Sequence, residues 1–181
     1  MCGRYFLDPM LLQGMVKTGE ICPGDTASVF ARARSGKAAP HAMKWGWKGP
    51  KGRLVINARS ETAETSPMFA ESMALRRCLI PASGYFEWEK RADGKVKQAI
   101  APEAAEGFYL AGLYRFEEGK PVFVVLTRDA APAIRHIHDR MPVMLSGEAA
   151  RAWLAPRGDP QAALAAALRA VAFRPAEAGE A

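Results

Sequence analysis

The sequence predicts an α+β fold: a single domain with a mostly antiparallel, barrel-like β core and flanking short helices. Three observations carry this. Short apolar or alternating runs recur along the chain and outnumber its helical patterns. Turn signals such as Pro23-Gly24-Asp25, Asp93-Gly94 and Glu118-Gly119 link them closely, as antiparallel neighbours require. The 181 residues, 49% hydrophobic and 24% charged, suit one domain with a core of its own.

Residues 2–7 read as a short strand with Arg4 as its polar interruption. Asp8-Pro9 reads as a cap and first helical position, predicting a helix through Met10, Leu11, Met15 and Val16 that ends at Gly19. Ala27–Arg34 is the next strand, and Ser35-Gly36-Lys37 its loop. His41–Trp47 leads into a basic loop, Gly49-Pro50-Lys51-Gly52. Leu54–Asn57 is an apolar strand ending in a polar residue. Ser66-Pro67 starts a second helix, with Met68, Phe69, Met73 and Leu75 on one side.

Cys78–Pro81 is a short apolar strand. Gly84–Lys90 alternates, with Tyr85, Glu87 and Glu89 facing one way and Phe86 and Trp88 the other. Val96–Ala101, Phe108–Phe116 and Val122–Thr127 complete the strands. Pro132–His136 makes a helical turn. Ser146 caps a helix through Trp153 and Leu154, and Asp159-Pro160 caps an alanine-rich helix to about Phe173. The domain is thus expected over residues 1–173, with 174–181 a disordered tail.

No run approaches the ~20 apolar residues of a membrane span. The N-terminus lacks the order of a signal peptide, so the cytosol is expected, with a nucleoid location compatible. Three cysteines, Cys2, Cys22 and Cys78, are widely spaced and odd in number, which argues against a disulfide framework. No spacing suggests a metal site, and neither metal nor cofactor is expected. A net charge of +6 suits a polyanionic partner.

Four polar clusters interrupt the apolar pattern. Cys2 stands directly after the initiator methionine. Removal of Met1 would leave an α-amine and a thiol on adjacent carbons, titrating near ~8 and ~8.5, which together close an aldehyde into a five-membered ring. The plainer alternative is a small packed hydrophobe. Asn57-Ala58-Arg59-Ser60-Glu61 follows a buried strand, where rigid backbone suits anion binding or catalysis; a helix cap explains it equally. Glu87 lies in an aromatic run, Tyr85-Phe86-Glu87-Trp88, where burial would raise its pKa toward that of a proton shuttle; the alternative is a solvent-facing strand glutamate. His138 with Arg140 offers proton exchange beside an oxyanion clamp; the alternative is a surface histidine among salt bridges with Asp139.

Taken together, Met-Cys-Gly-Arg-Tyr at the start, then Met-Lys-Trp-Gly, Asn-Ala-Arg-Ser-Glu-Thr, Arg-Cys-Leu-Ile-Pro-Ala-Ser-Gly-Tyr-Phe-Glu-Trp and His-Asp-Arg-Met-Pro-Val closely resemble the SRAP (SOS response-associated peptidase) family. The motifs stand in the family's order over residues 2–154. Glu20-Ile21-Cys22-Pro23-Gly24-Asp25 departs from its asparagine-alanine-proline stretch. The resemblance implies the SRAP fold and an abasic-site sensor in single-stranded DNA that crosslinks itself to the ring-opened sugar as a thiazolidine, shielding the lesion in the DNA damage response.

It implies catalytic roles for Cys2, Glu87 and His138, a positioning role for Asn57, and phosphate contacts from Arg4, Arg59 and Arg140. Thr127 matches a polar contact near the site. Trp45, in a basic segment, is the candidate for stacking on a splayed base. The implied partner is single-stranded DNA carrying abasic sites, including at junctions with duplex, with a monomeric protein and no membrane. An enzyme activity of crosslinking and lyase-like type, with autoproteolytic removal of Met1, accompanies this. The alternatives are a cysteine (auto)peptidase using Cys2, His138 and Glu87, and a non-catalytic single-stranded-DNA module.

Overall fold

The architecture is a five-stranded barrel capped by a second sheet, and period-two alternation builds both. The computed structural model describes residues 2–11, 14–33, 36–103, 107–156 and 158–177. In chain order the elements are β1 (Tyr5–Leu7), β2 (Gly19–Ile21), β3 (Thr26–Arg32), β4 (Ala38–Trp45), β5 (Trp47–Lys48), β6 (Leu54–Val55) and β7 (Asn57–Arg59). They continue with α1 (Ala70–Leu75), β8 (Arg77–Ala82), β9 (Gly84–Arg91), β10 (Gly94–Pro102), β11 (Phe108–Glu117), β12 (Lys120–Asp129), β13 (Arg140–Pro142) and β14 (Met144–Leu145). α2 (Gly147–Leu154), α3 (Pro160–Ala165) and β15 (Val171–Pro175) end the described chain.

β12, β4, β3, β8 and β11 each pair with the next, and β11 pairs back with β12, so the ring closes. Among the five pairings of the ring, only β4–β12 is parallel. Closure leaves no open edge within the ring. Alternate side chains enter the barrel: Ala27, Val29 and Ala31, Met43 and Trp45, Cys78 and Ile80, Leu110, Phe123 and Val125. The intervening Leu79, Ala111, Leu113, Val122, Val124 and Leu126 face outward, under Met73 of α1 and Ala150 and Trp153 of α2. Trp153 is fully buried and its Nε1 donates to the Cys78 carbonyl at 2.9 Å, which fixes α2 on β8.

β15, β10, β9, β1 and β2 form the second, wholly antiparallel sheet. Its Tyr5, Leu7, Ile21, Tyr85, Ile100 and Val171 join the same apolar cluster as the barrel interior. The two sheets therefore share one core, and the chain start is trapped where they meet.

One glycine shapes the site. Gly46 has φ +116°, and a Cβ there would meet Leu54 at 2.6 Å. Its N–H donates to the Phe123 carbonyl at 2.8 Å. At this point β4 leaves β12, and β7 takes up the vacated edge in parallel, with Asn57 opposite Val125 and Arg59 opposite Thr127.

Four expectations need correction. The described residues between Asp8 and Thr18 form turns, not a helix. The Asp8 carboxylate accepts the Met10 N–H at 2.8 Å, a local turn that competes with helix. Met10, Leu11 and Val16 are exposed and Met15 alone of the four packs against the core, so no apolar stripe forms. The second helix begins at Ala70 rather than at Ser66. The last helix stops at Ala165 instead of Phe173, and Val171–Pro175 pairs with β10 along Gln98–Pro102. Burial of Val171 and pairing with β10 override alanine's helix propensity there. Arg174 and Pro175, assigned to the tail, are part of that strand; residues 178–181 lie outside the described residues. Asp159 caps α3 as read, accepting the Gln161 N–H at 2.8 Å. No helix among the described residues is long and apolar enough to cross a membrane.

Candidate active site at the chain start

The N-terminal strand is held in register by β9. Tyr5 lies opposite Tyr85 and Phe6 opposite Gly84. The Phe86 N–H donates to the Arg4 carbonyl at 2.9 Å and the Ser83 N–H to the Phe6 carbonyl at 2.7 Å. A side chain at position 84 would collide with the Phe6 ring at 2.5 Å and the Ile100 carbonyl at 2.9 Å, so only glycine lets β1 lie flat on β9. This clamp delivers Cys2 into the core, where it is 0% exposed.

Asn57 meets it from the barrel side. Its Nδ2 donates to the Cys2 carbonyl at 2.9 Å. Asn57 stands at the start of β7, whose edge position follows from Gly46, so the bond links the second sheet to the barrel. Among the described residues the Cys2 thiol has a long contact to the Arg4 carbonyl, 3.8 Å. Burial, reinforced by the Glu87 charge, pushes the thiol well above its ordinary pKa.

Glu87 shares a face of β9 with Tyr85, two residues before it, as the alternation predicts. It is 8% exposed, and burial, with a further push from Asp139, raises its pKa to about 7. A carboxyl poised there exchanges protons at neutral pH. Phe86 and Trp88 occupy the opposite face, beneath the Lys97 ammonium at 3.8 Å from the Phe86 ring and the Arg4 guanidinium at 5.3 Å from the Trp88 ring.

His138 reaches the same region on the segment between β12 and β13, anchored by buried Ile134 and Ile137. Its N–H donates to the Ile134 carbonyl at 3.1 Å. Its Nδ1 accepts the Arg140 backbone N–H at 3.0 Å and lies 2.8 Å from Asp139 Oδ1. The amide favours a bare nitrogen and the carboxylate a protonated one. Burial lowers the imidazole pKa against the pull of Asp139.

The remaining candidates separate. Arg59 is exposed on β7, beside Thr127. Arg4 is half-exposed but ion-paired with Glu20. Arg140 is 11% exposed; it grips Glu61 through two bonds of 2.8 and 2.9 Å, pairs with Asp129 and donates to the Thr127 carbonyl. It is the hub of a charge network, not an open cation. Thr127 is 2% exposed, and its hydroxyl donates to the Ala58 carbonyl at 3.4 Å.

Trp45 needs correcting outright. It is 0% exposed, stacks on Phe123 at 6.0 Å, packs against Tyr5, and donates from Nε1 to the Ile56 carbonyl at 2.9 Å. A ring filling the barrel has no face to offer a base, and Trp47 is equally buried.

Two residues that sequence reasoning missed are Tyr5 and Tyr85. Both are wholly buried beside Cys2, and neither hydroxyl has a partner among the described residues. Tyr85 was visible as the alternate neighbour of Glu87; Tyr5 required the β1–β9 register. Gln98, opposite Glu87 on β10, is likewise buried, and its Nε2 goes to Glu89 at 2.8 Å.

A mixed barrel that buries Cys2 against Asn57, with a carboxyl of raised pKa beside it, is the arrangement to set against known families. The model of the SOS response associated peptidase (SRAP) family matches residues 1–178, and the chain belongs to that family. It is 38% identical over 128 residues to abasic site processing protein YoqW of Bacillus subtilis, covering 64% of this chain and 57% of YoqW. Abasic site processing protein YedK of Escherichia coli is 38% identical over 118 residues, 63% of this chain and 51% of YedK. The chain thus spans little more than half the length of these relatives. A phage-related protein of Bordetella bronchiseptica superposes with a TM-score of 0.77 at 27% identity, over 98% of this chain and 95% of that one.

Proposed function

We propose that the chain captures abasic sites in single-stranded DNA by closing a thiazolidine between Cys2 and the ring-opened sugar. Met1, which lies outside the described residues, must first be removed to free the Cys2 amine. The amine then attacks the aldehyde carbon, and the oxygen leaves as water to give an imine. The thiol sulfur adds to the imine carbon, and its proton passes to nitrogen. One water is lost overall, and no oxidant or reductant is needed.

The observation that carries this reading is the junction of Cys2, Asn57 and Glu87. Asn57 holds the Cys2 carbonyl and so fixes where the amine sits. Glu87, with a pKa near 7, takes a proton from the ammonium and returns one to the departing oxygen. His138, on the same side, assists ring opening. Arg59 contacts the backbone, with Arg4 joining on leaving Glu20; Arg140 keeps the β12–β13 edge rigid.

The raised thiol pKa weighs against the peptidase alternative. A cysteine protease needs a preformed thiolate, whereas aminothiol capture begins at nitrogen and needs the sulfur only after the imine exists. The relatives named for abasic-site processing support the same choice.

A denaturing gel tests it. The mature protein is incubated with a single-stranded oligonucleotide carrying one abasic site. A heat-stable shifted band, absent with Cys2→Ala and absent without the lesion, is expected. Binding that survives Cys2→Ala with no heat-stable band would return the chain to a non-catalytic module. Peptide cleavage in trans with no shifted band would favour the peptidase.

A further inference from the structure

Beside the β7 end, away from Cys2, lies a cavity of about 590 Å³ between β12, the turn after it and α3. Three guanidiniums line it: Arg128, Arg135 and Arg169. Arg135 and Arg169 are exposed, while Arg128 is partly buried from the β12 end. The Arg128 Nη1 is buried with no hydrogen-bond partner among the described residues. A buried N–H donor without an acceptor carries a standing penalty, which the Arg128 side chain sheds if it turns that donor to an anion in the hollow.

The acids of the pocket offset this charge only in part, though Glu61 and Asp129 both act on Arg128. Glu61 and Asp129 also line it, but Arg140 already holds both. The three lining arginines therefore face space whose carboxylates are spoken for. Arg169 is close enough to Arg128 to add to burial in weakening its hold on a proton. Like charges gathered around a hollow with an unmet donor are arranged for an oxyanion, and the planar fork of arginine matches phosphate oxygens two at a time.

Position names the source of that oxyanion. The cavity wall includes Ser60 and Glu61, which continue directly from Asn57 and Arg59. Ser60 is three residues beyond Asn57, about 10 Å along extended chain, or a few nucleotides of stacked strand at ~3.4 Å each. Arg59 stands between the two. We propose that this pocket seats a backbone phosphate of the same nucleic-acid strand whose lesion Cys2 captures, a few nucleotides from it. The assignment builds on the function proposed above and adds a second anchoring point to it.

Two readouts on wild type, Arg128→Gln and Arg169→Gln test it. The first is the thermal midpoint in inorganic phosphate against chloride at matched ionic strength. The second is the salt dependence of affinity for a lesion-free single-stranded oligonucleotide, by fluorescence anisotropy. Phosphate should raise the wild-type midpoint and do so less in either variant. The slope of log affinity against log salt should fall by about 0.7 in each, the share of one single-strand phosphate contact. Arg169 is exposed, so its variant retains the fold if Arg128→Gln does not. Phosphate protection with unchanged slopes would make the pocket a free-anion site and overturn the proposal. Unchanged slopes alongside intact crosslinking sink this inference alone, whereas absence of any oligonucleotide binding by the wild type sinks the function above together with it.

Discussion

Replacing Glu87 by glutamine should make the protein more stable at alkaline pH and leave it nearly unchanged in acid. The folded-state pKa of Glu87 is about 7, against an ordinary 4.5. Below the lower value the carboxyl is protonated in both states and contributes nothing. Between the two values the folded state keeps a proton that the unfolded state has released, so stability falls as pH rises. At about 1.4 kcal/mol per pKa unit, the full difference is about 3 kcal/mol, reached near pH 8. Glutamine matches the shape without the charge and removes this dependence. Urea denaturation of both proteins at about pH 4.5 and about pH 8 measures it: the stability gap should widen by about 3 kcal/mol in favour of Glu87→Gln. A gap that stays constant across this window would refute a buried, raised carboxyl at position 87. The same variant should crosslink ~10²- to 10⁴-fold more slowly, the usual worth of a positioned proton-transfer group.

Asn57→Ala frees the Cys2 carbonyl, and should slow crosslinking ~10²-fold while oligonucleotide affinity by anisotropy changes little; equal losses in both would make Asn57 a binding residue. Trp45→Phe should lower stability by ~1–3 kcal/mol through the lost indole bond to the Ile56 carbonyl, which keeps the Val125 N–H, and through lost volume, yet leave the DNA affinity of the folded protein intact; a selective loss of affinity would restore the stacking reading. Arg140→Gln should destabilise by ~1–3 kcal/mol in thermal or urea melts, through its lost bonds to the Thr127 carbonyl and to the exposed Glu61 and Asp129, whereas exposed Arg59→Gln should leave the melt unchanged and flatten the salt slope by ~0.7.

Sequence made the barrel legible because its strands obey a strict two-residue period, and Tyr85, Glu87 and Phe86 face the sides that alternation assigns them. Closure through a parallel β4–β12 contact was beyond it, since nothing local to Met43-Lys44-Trp45 says which distant strand its edge will meet. The helix read at Asp8 failed because an aspartate that caps a helix also closes a turn onto its own backbone, and only exposure of Met10 and Leu11 decides between them. The alanine-rich end misled for the opposite reason: helix propensity is weak, and Val171 gains more by entering the shared core.

Within the site, Cys2, Asn57 and Glu87 stood out as polar residues set in apolar strands, and the fold brings them together. Trp45 was misread because a tryptophan among lysines looks the same in sequence whether its ring points in or out. Arg140 was legible as a cation but not as one already engaged, because Glu61 and Asp129 reach it through β7 and β12. Tyr5 and the Arg128 pocket depend on register between strands, which a single sequence does not display.

The central claim is that position 2 supplies both amine and sulfur to one carbon. Intact-mass spectrometry of the heat-treated, unreduced adduct measures this directly. The account predicts a mass equal to the protein without Met1 plus the abasic oligonucleotide less one water, absent for Cys2→Ser. An adduct that retains Met1, or one that Cys2→Ser forms equally well without reduction, would contradict it.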